Sequence, residues 1–283
     1  TQKDFGLLLI MNIPLVGVLG LITWRLHKVQ LVNDMAMYAV WILLLGLYLF
    51  QAYNIWKANK PLLTGQKQYS PQERYKFSQV ANLQLAYIAC FGSELAVVSM
   101  LPTFFQRGFG LSAAFAGAVA GTYAFMNLFA RPGGGWVSDK IGSRKWTLVV
   151  TLAGTGMGYL LFSSLGNTVP LFVVVIVTML ASFFVMAAEG ATYAIVPLIK
   201  HRITGQIAGN VGAYGNVGAV VLLTIYSLLP EGLAGDRNFF QILGVLGLLV
   251  ASINAFFLQE PMVSHPVEAE PESTRVLTSS NRR

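Results

Sequence analysis

Phe125-Met126-Asn127-Leu128-Phe129-Ala130-Arg131-Pro132-Gly133-Gly134-Gly135 is the stretch on which the reading of this chain turns. An arginine does not shed its proton inside a protein. Arg131 stands within an apolar span, eight residues before the polar Asp139. If that span crosses a bilayer, the chain places a permanent cation near its middle, and such a charge needs an anion to face.

The rest of the sequence makes the span a membrane span. The chain has 283 residues, 55% of them hydrophobic and 11% charged, with a mean hydropathy of +0.60. That is too apolar for a soluble domain of this length. About eight apolar stretches approach the roughly 20 residues that a helix needs to cross the hydrocarbon core. They fall near 5–24, 36–55, 83–104, 113–137, 146–165, 170–190, 206–228 and 239–258. The expected fold is therefore an all-α polytopic membrane protein. Residues 1–55 hold two transmembrane helices, 56–82 form a polar connector with Pro61 and Pro71, and 83–258 form a six-helix unit. The proline- and glutamate-rich tail, 259–283, reads as disordered.

The net charge of +7 does not point to nucleic acid, because the basic residues are not clustered with aromatics on one soluble face. They alternate by side. Lys57, Lys60, Lys67, Arg74 and Lys76, then Lys140, Arg144 and Lys145, then Lys200 and Arg202 fall in one set of loops. Only Arg25, Lys28, Arg107 and Arg237 fall in the other. The positive-inside rule makes the first set cytoplasmic, which puts both ends of the chain in the cytoplasm of a multi-pass protein of the inner (cell) membrane. Arg25 and Lys28 fit that rule poorly. The lone Cys90 gives no disulfide framework. His27, His201 and His265 share no ligand spacing, so neither a metal site nor a cofactor is expected.

Besides Arg131, two ionisable residues lie within spans, Glu94 and Glu189. Each is costly at a helix centre, by about 2.5 kcal/mol or more, so such groups face a bundle interior or a water-filled cavity. Arg131 has two readings. It forms a buried salt bridge to Glu94 or Glu189, or it recognises a substrate anion with its planar fork of donors. Asn127 lies one turn earlier on the same helix face, and Pro132 is expected to interrupt the helix. Tyr87 and Phe91 also stand four apart, where they are either ordinary packing or the flat walls of a small polar site. Gly209, Gly212, Gly215 and Gly218 keep one face of a span nearly bare, for a neighbouring helix or for a small substrate. Gly117 and Gly121 form a GxxxG pair suited to helix packing. No nucleophile and base are arranged for an enzyme.

Two of these stretches resemble a known family. Gly135 to Lys145, with Asp139, Lys140, Gly142, Arg144 and Lys145, is similar to the G-x-x-x-D-[RK]-x-G-[RK]-[RK] loop of major facilitator superfamily carriers, with Ser143 inserted. Asn127-Leu-Phe-Ala-Arg131-Pro132-Gly-Gly134 resembles the eighth-helix signature of the nitrate/nitrite porter branch. Gly205 to Gly218, with Asn216, resembles its glycine-rich eleventh helix.

The resemblance covers about 83–258, which would be helices seven to twelve. It implies alternating-access transport of nitrate or nitrite, with Arg131 as the second-half arginine and Tyr87 and Phe91 as the seventh-helix aromatic pair. Gly209, Gly212, Gly215 and Asn216 would lie close to the anion, and Asp139, Arg144 and Lys145 would form a gating latch. Glu94 and Glu189 are the candidates for proton coupling. The first-half arginine has no counterpart here, so the chain is expected to be the C-terminal part of a carrier whose partner half precedes it. The two spans before residue 56 are either helices five and six or an inserted hairpin. A carrier of another small anion and a non-transporting membrane sensor or assembly subunit remain the other readings.

Overall fold

Long apolar runs give long helices. A computed structural model describes residues 2–66, 75–166 and 169–261. In order come α1 (Gln2–Met11), α2 (Ile13–Lys28), α3 (Asp34–Leu63) and α4 (Phe77–Tyr87), which continues through a π-helical turn (Ile88–Gly92) into α5 (Ser93–Phe109). Then follow α6 (Ala113–Phe125), α7 (Asn127–Ile141), α8 (Arg144–Ser164), α9 (Leu171–Ile199), a 3-10 turn (His201–Ile203), α10 (Thr204–Leu228) and α11 (Leu233–Phe257). Among the described residues there is no strand.

Seven of these segments are long and apolar enough to span a membrane, beginning with α3. The eighth expected span, 5–24, is divided at Asn12 into α1 and α2. Pro14 sits in the first turn of α2, where it lacks an amide and its ring crowds the carbonyl four residues back. The Asn12 side chain meanwhile donates to the Leu8 carbonyl at 2.8 Å. The 16 residues of α2 reach only about 24 Å, short of the hydrocarbon thickness. Helix α3 extends to Leu63 and α4 starts at Phe77, so both enter the stretch expected as connector. Residues 67–74 of that connector, and the tail from 262 onward, lie outside the described residues.

A second difference lies in the deciding stretch. The helix runs unbroken through Pro132, and the break falls at Met126, between α6 and α7. The missing amide of Pro132 frees only the Leu128 carbonyl, which lies inside α7, so the proline is carried within the helix and does not account for the turn at Met126.

Small residues set the packing, as they must where lipid gives no hydrophobic drive between helices. A Cβ on Gly156 of α8 would stand 2.7 Å from the Gly244 carbonyl of α11, so these helices touch backbone to backbone. Helices α7 and α9 do the same, since a Cβ on Gly134 would overlap the Ala187 backbone and one on Gly190 would overlap the Arg131 carbonyl. Phe104, Phe162 and Phe240 fill the core between α5, α8 and α11, fully buried and in ring contact. Helices α2 and α3 form a hairpin tied by the Trp41 indole donating to the Gly20 carbonyl at 3.0 Å, and α2 leans on α10. Gly117 and Gly121 of α6 meet nothing within 4 Å, so this GxxxG pair packs on no described helix of this chain.

Candidate functional site

The close α7–α9 approach brings Arg131 onto Glu189. With glycine at 190, the two backbones come near enough for the Arg131 Nη2 to reach the Glu189 carboxylate. Helix α5 supplies a second acid, and Glu94 Oε2 lies 3.6 Å from the same nitrogen. Asn127, one turn before Arg131, donates its Nδ2 to Glu94 Oε1 at 3.1 Å. One cation thus faces two carboxylates on two different helices. Both acids expected within spans reach Arg131, and the salt-bridge reading of Arg131 is realised with each.

Arg131 nevertheless keeps an open side. Its side chain is 37% exposed, whereas that of Glu189 is fully buried behind it. The guanidinium carbon lies 5.6 Å from the Phe91 ring centroid, within cation–π range. Phe91 in turn stacks on Tyr87, with planes 4° apart and centroids separated by 4.9 Å. Their register follows from the π-helical turn that carries Phe91, since the extra residue per turn re-aims side chains within a membrane helix. Tyr193 of α9 closes the far side edge-on to Tyr87 at 5.1 Å.

The four glycines of the α10 face meet four different surroundings. Gly215 lies against the aromatic pair, so that a Cβ there would stand 2.5 Å from Tyr87 Cδ1 and 2.6 Å from Phe91 Cδ1. Gly218 lies against the Ile88 backbone, and Gly212 faces the Tyr193 hydroxyl. Gly209 meets nothing within 4 Å. Asn216 is exposed, and its amide turns back to its own helix at the Gly212 carbonyl, 3.2 Å away. The structure thus gathers Arg131, Asn127, Glu94, Glu189, Tyr87, Phe91 and Gly215 and leaves Gly209 and Asn216 aside.

At the end of α7 the chain turns at Gly142, whose φ of +72° suits glycine. Asp139 pairs with Arg144 at 2.7 Å, and Arg144 also donates to the Ala194 carbonyl of α9 at 2.8 Å. Lys145 takes no part through its ammonium, which lies over the Trp146 ring. Its backbone amide instead points at Glu260. Among the described residues no group of three or more His, Cys, Asp or Glu is placed to hold a metal.

Three contributors escaped the sequence reading. Tyr193 had a signal, because it lies one turn after Glu189 on the same helix face. Glu260 had none, since it falls at the start of a tail with no periodicity. Gln84 of α4 donates to Asn210 of α10, joining two helices that line the site, and only the fold brings that pair together.

Residues 83–282 match the Major Facilitator Superfamily profile. The chain is 56% identical to the nitrate/nitrite transporter NrtP of Picosynechococcus sp., over 98% of this chain and 54% of that protein. It is 47% identical to the nitrate/nitrite transporter NrtP of Nostoc punctiforme, over 99% of this chain and 55% of that one. With the high affinity nitrate transporter 2.5 of Arabidopsis thaliana it shares 39% identity over 50% of this chain and 29% of the plant protein. The chain spans about half the length of the first two relatives. With its helical bundle, its half-buried arginine and its turn at Gly142, the chain belongs to the Major Facilitator Superfamily, and its likeness within that family runs to the nitrate/nitrite transporters.

Proposed function

We propose that this chain is part of a carrier that moves nitrate, nitrite or both across the inner membrane by alternating access, and that it performs no enzymatic chemistry. One observation carries this reading: a guanidinium within the membrane that is partly open, flanked by a flat pair of stacked aromatic rings. Nitrate and nitrite are small planar anions. They match a planar donor fork and ring faces better than they match a point charge. The names of the relatives point the same way.

Arg131 supplies the charge, Asn127 braces the acid beside it, and Tyr87 and Phe91 form the walls. Gly215 lets α10 close on those rings, and Gly212 lets it approach the Tyr193 hydroxyl beside them. Asp139 and Arg144, with the Lys145 backbone, latch α7, α8 and α9 at the lysine- and arginine-rich end, which the positive-inside rule makes cytoplasmic. The rest of the carrier is a partner half that rocks against this one around the anion. The unpacked glycine faces at Gly117, Gly121 and Gly209 support a partner there. Glu94 and Glu189 are the candidates for moving a proton with the anion.

The test is labelled nitrate or nitrite flux into liposomes holding the full-length carrier. Saturable flux with competition between the two anions is expected. Absence of flux for both anions, with the protein inserted and folded, overturns the reading.

A further inference from the structure

The cluster around Arg131 is unevenly matched. Glu189 and Glu94 converge on a single nitrogen, Nη2, while the buried Nε of the same guanidinium has no hydrogen-bond partner. Glu189 Oε1 and Glu94 Oε2 are likewise buried without hydrogen bonds. A polar network that served only to join helices would be expected to satisfy its members. Each unsatisfied buried group costs about 1–3 kcal/mol, and more when charged. A set with idle donors and idle acceptors suits a site whose partners change.

The geometry of the guanidinium says which partner changes. A planar oxyanion held at two points uses either the end-on pair Nη1 and Nη2 or the side-on pair Nε and Nη2. Nη2 belongs to both pairs, and the Glu189 carboxylate is already on it. Glu94 is braced by Asn127 through its other oxygen. Glu189 has no hydrogen-bond partner besides Arg131 among the described residues, so it is the acid that is free to let go.

We propose that Glu189 is a tethered competitor of the transported anion, holding Nη2 of Arg131 and yielding it when the anion binds in two-point fashion. The proposal rests on the nitrate/nitrite reading above. It makes Glu189 a positioning residue that sets how strongly an anion must bind to be accepted. Its return to Nη2 helps to expel the anion on the other side of the membrane.

The experiment is nitrate binding by titration calorimetry, with sodium nitrate as the probe, on the purified full-length carrier and its Glu189→Gln variant. Removing the competing charge is expected to tighten nitrate binding roughly tenfold, within the usual range for coupling between two ligands. Turnover in liposomes should fall as KM falls. A purely structural role for Glu189 gives the opposite sign, because Arg131 would lose its brace and bind nitrate more weakly. Weaker or unchanged binding in Glu189→Gln therefore overturns the proposal. If that variant does not fold, Glu189→Asp withdraws the carboxylate by one methylene while keeping its charge. Tighter binding is again expected, and equal or weaker binding is again fatal. Failure of the wild-type carrier to bind nitrate or nitrite at all is a separate result, which removes the proposed function and this inference with it.

Discussion

The Glu260 carboxylate accepts the backbone amide of Arg144 at 2.6 Å, capping the first turn of α8 from the far end of α11. Ser143 adds its hydroxyl at 3.2 Å and Lys145 its amide at 3.3 Å. An anion at a helix N-terminus satisfies free amides and meets the positive end of the helix dipole, worth about 0.3–1 kcal/mol when exposed. The same turn carries Arg144, which pairs with Asp139 and donates to Ala194. Three helix ends and the start of the tail thus meet at one turn, where Glu260 joins the Asp139–Arg144 pair.

Loss of that cap should loosen the latch. In an Ala194→Cys background, which keeps the backbone acceptor for Arg144, Glu260→Gln is expected to raise maleimide labelling of the new cysteine roughly two- to fivefold, the population shift matching the cap energy. Identical labelling rates would show that Glu260 has no part in holding this end closed.

Arg131→Lys in the full-length carrier should reduce nitrate uptake to less than a tenth of wild type, with membrane insertion and expression intact. Lysine keeps the charge but loses the two-point fork and the flat face that lies over Phe91. Uptake above half the wild-type rate would refute the role assigned to the guanidinium.

The glycine stripe on α10 makes a sharper comparison. Gly215→Ala places a methyl group into the edges of Tyr87 and Phe91, so the stacked pair must shift, whereas Gly209→Ala meets open space. Nitrate uptake is expected to fall about tenfold for Gly215→Ala, since overpacking of this kind costs about 1–3 kcal/mol. Gly209→Ala should remain within twofold of wild type. Equal effects of the two substitutions would mean that the stripe acts as a whole and the aromatic pair is not its target.

Much of this was legible in the sequence, for physical reasons. Arg131, Glu94 and Glu189 stand out because a charge is costly in a bilayer. The Tyr87–Phe91 pair stands out because four residues make one helical turn. Which acid reaches the arginine was not legible. That depends on α7 and α9 touching at Gly134 and Gly190, and a glycine in a membrane helix does not announce its partner. The breaks at Asn12 and Met126 were also missed. A proline in the sequence marks a lost hydrogen bond and not the place where a helix opens, since α7 runs through Pro132. Glu260 was hidden by composition, because a polar, proline-rich run has no period from which docking could be read.

On the proposed transport reading, Glu94 is the residue that tests how the anion is driven. Its carboxylate faces Arg131 at 3.6 Å with Oε2 free of hydrogen bonds, while Asn127 holds Oε1. An acid in that position feels the arrival of an anion on Arg131 directly, because the guanidinium charge is then shared with a second negative group. Proton symport needs a group whose proton occupancy responds to the substrate, and Glu94 is placed to respond. Exchange of one anion for another needs no proton carrier, only a site that is occupied in both directions. Glu94→Gln keeps the size of the side chain and its hydrogen-bonding to Asn127 but cannot carry the proton. In the full-length carrier this variant should reduce proton-driven nitrate accumulation at least fivefold, while nitrate/nitrite exchange measured in the same liposomes changes less than twofold. Loss of both modes to the same extent would make Glu94 a structural partner of Asn127 and Arg131. Accumulation unchanged from wild type would remove Glu94 from the mechanism and leave Glu189 as the remaining acid beside the arginine.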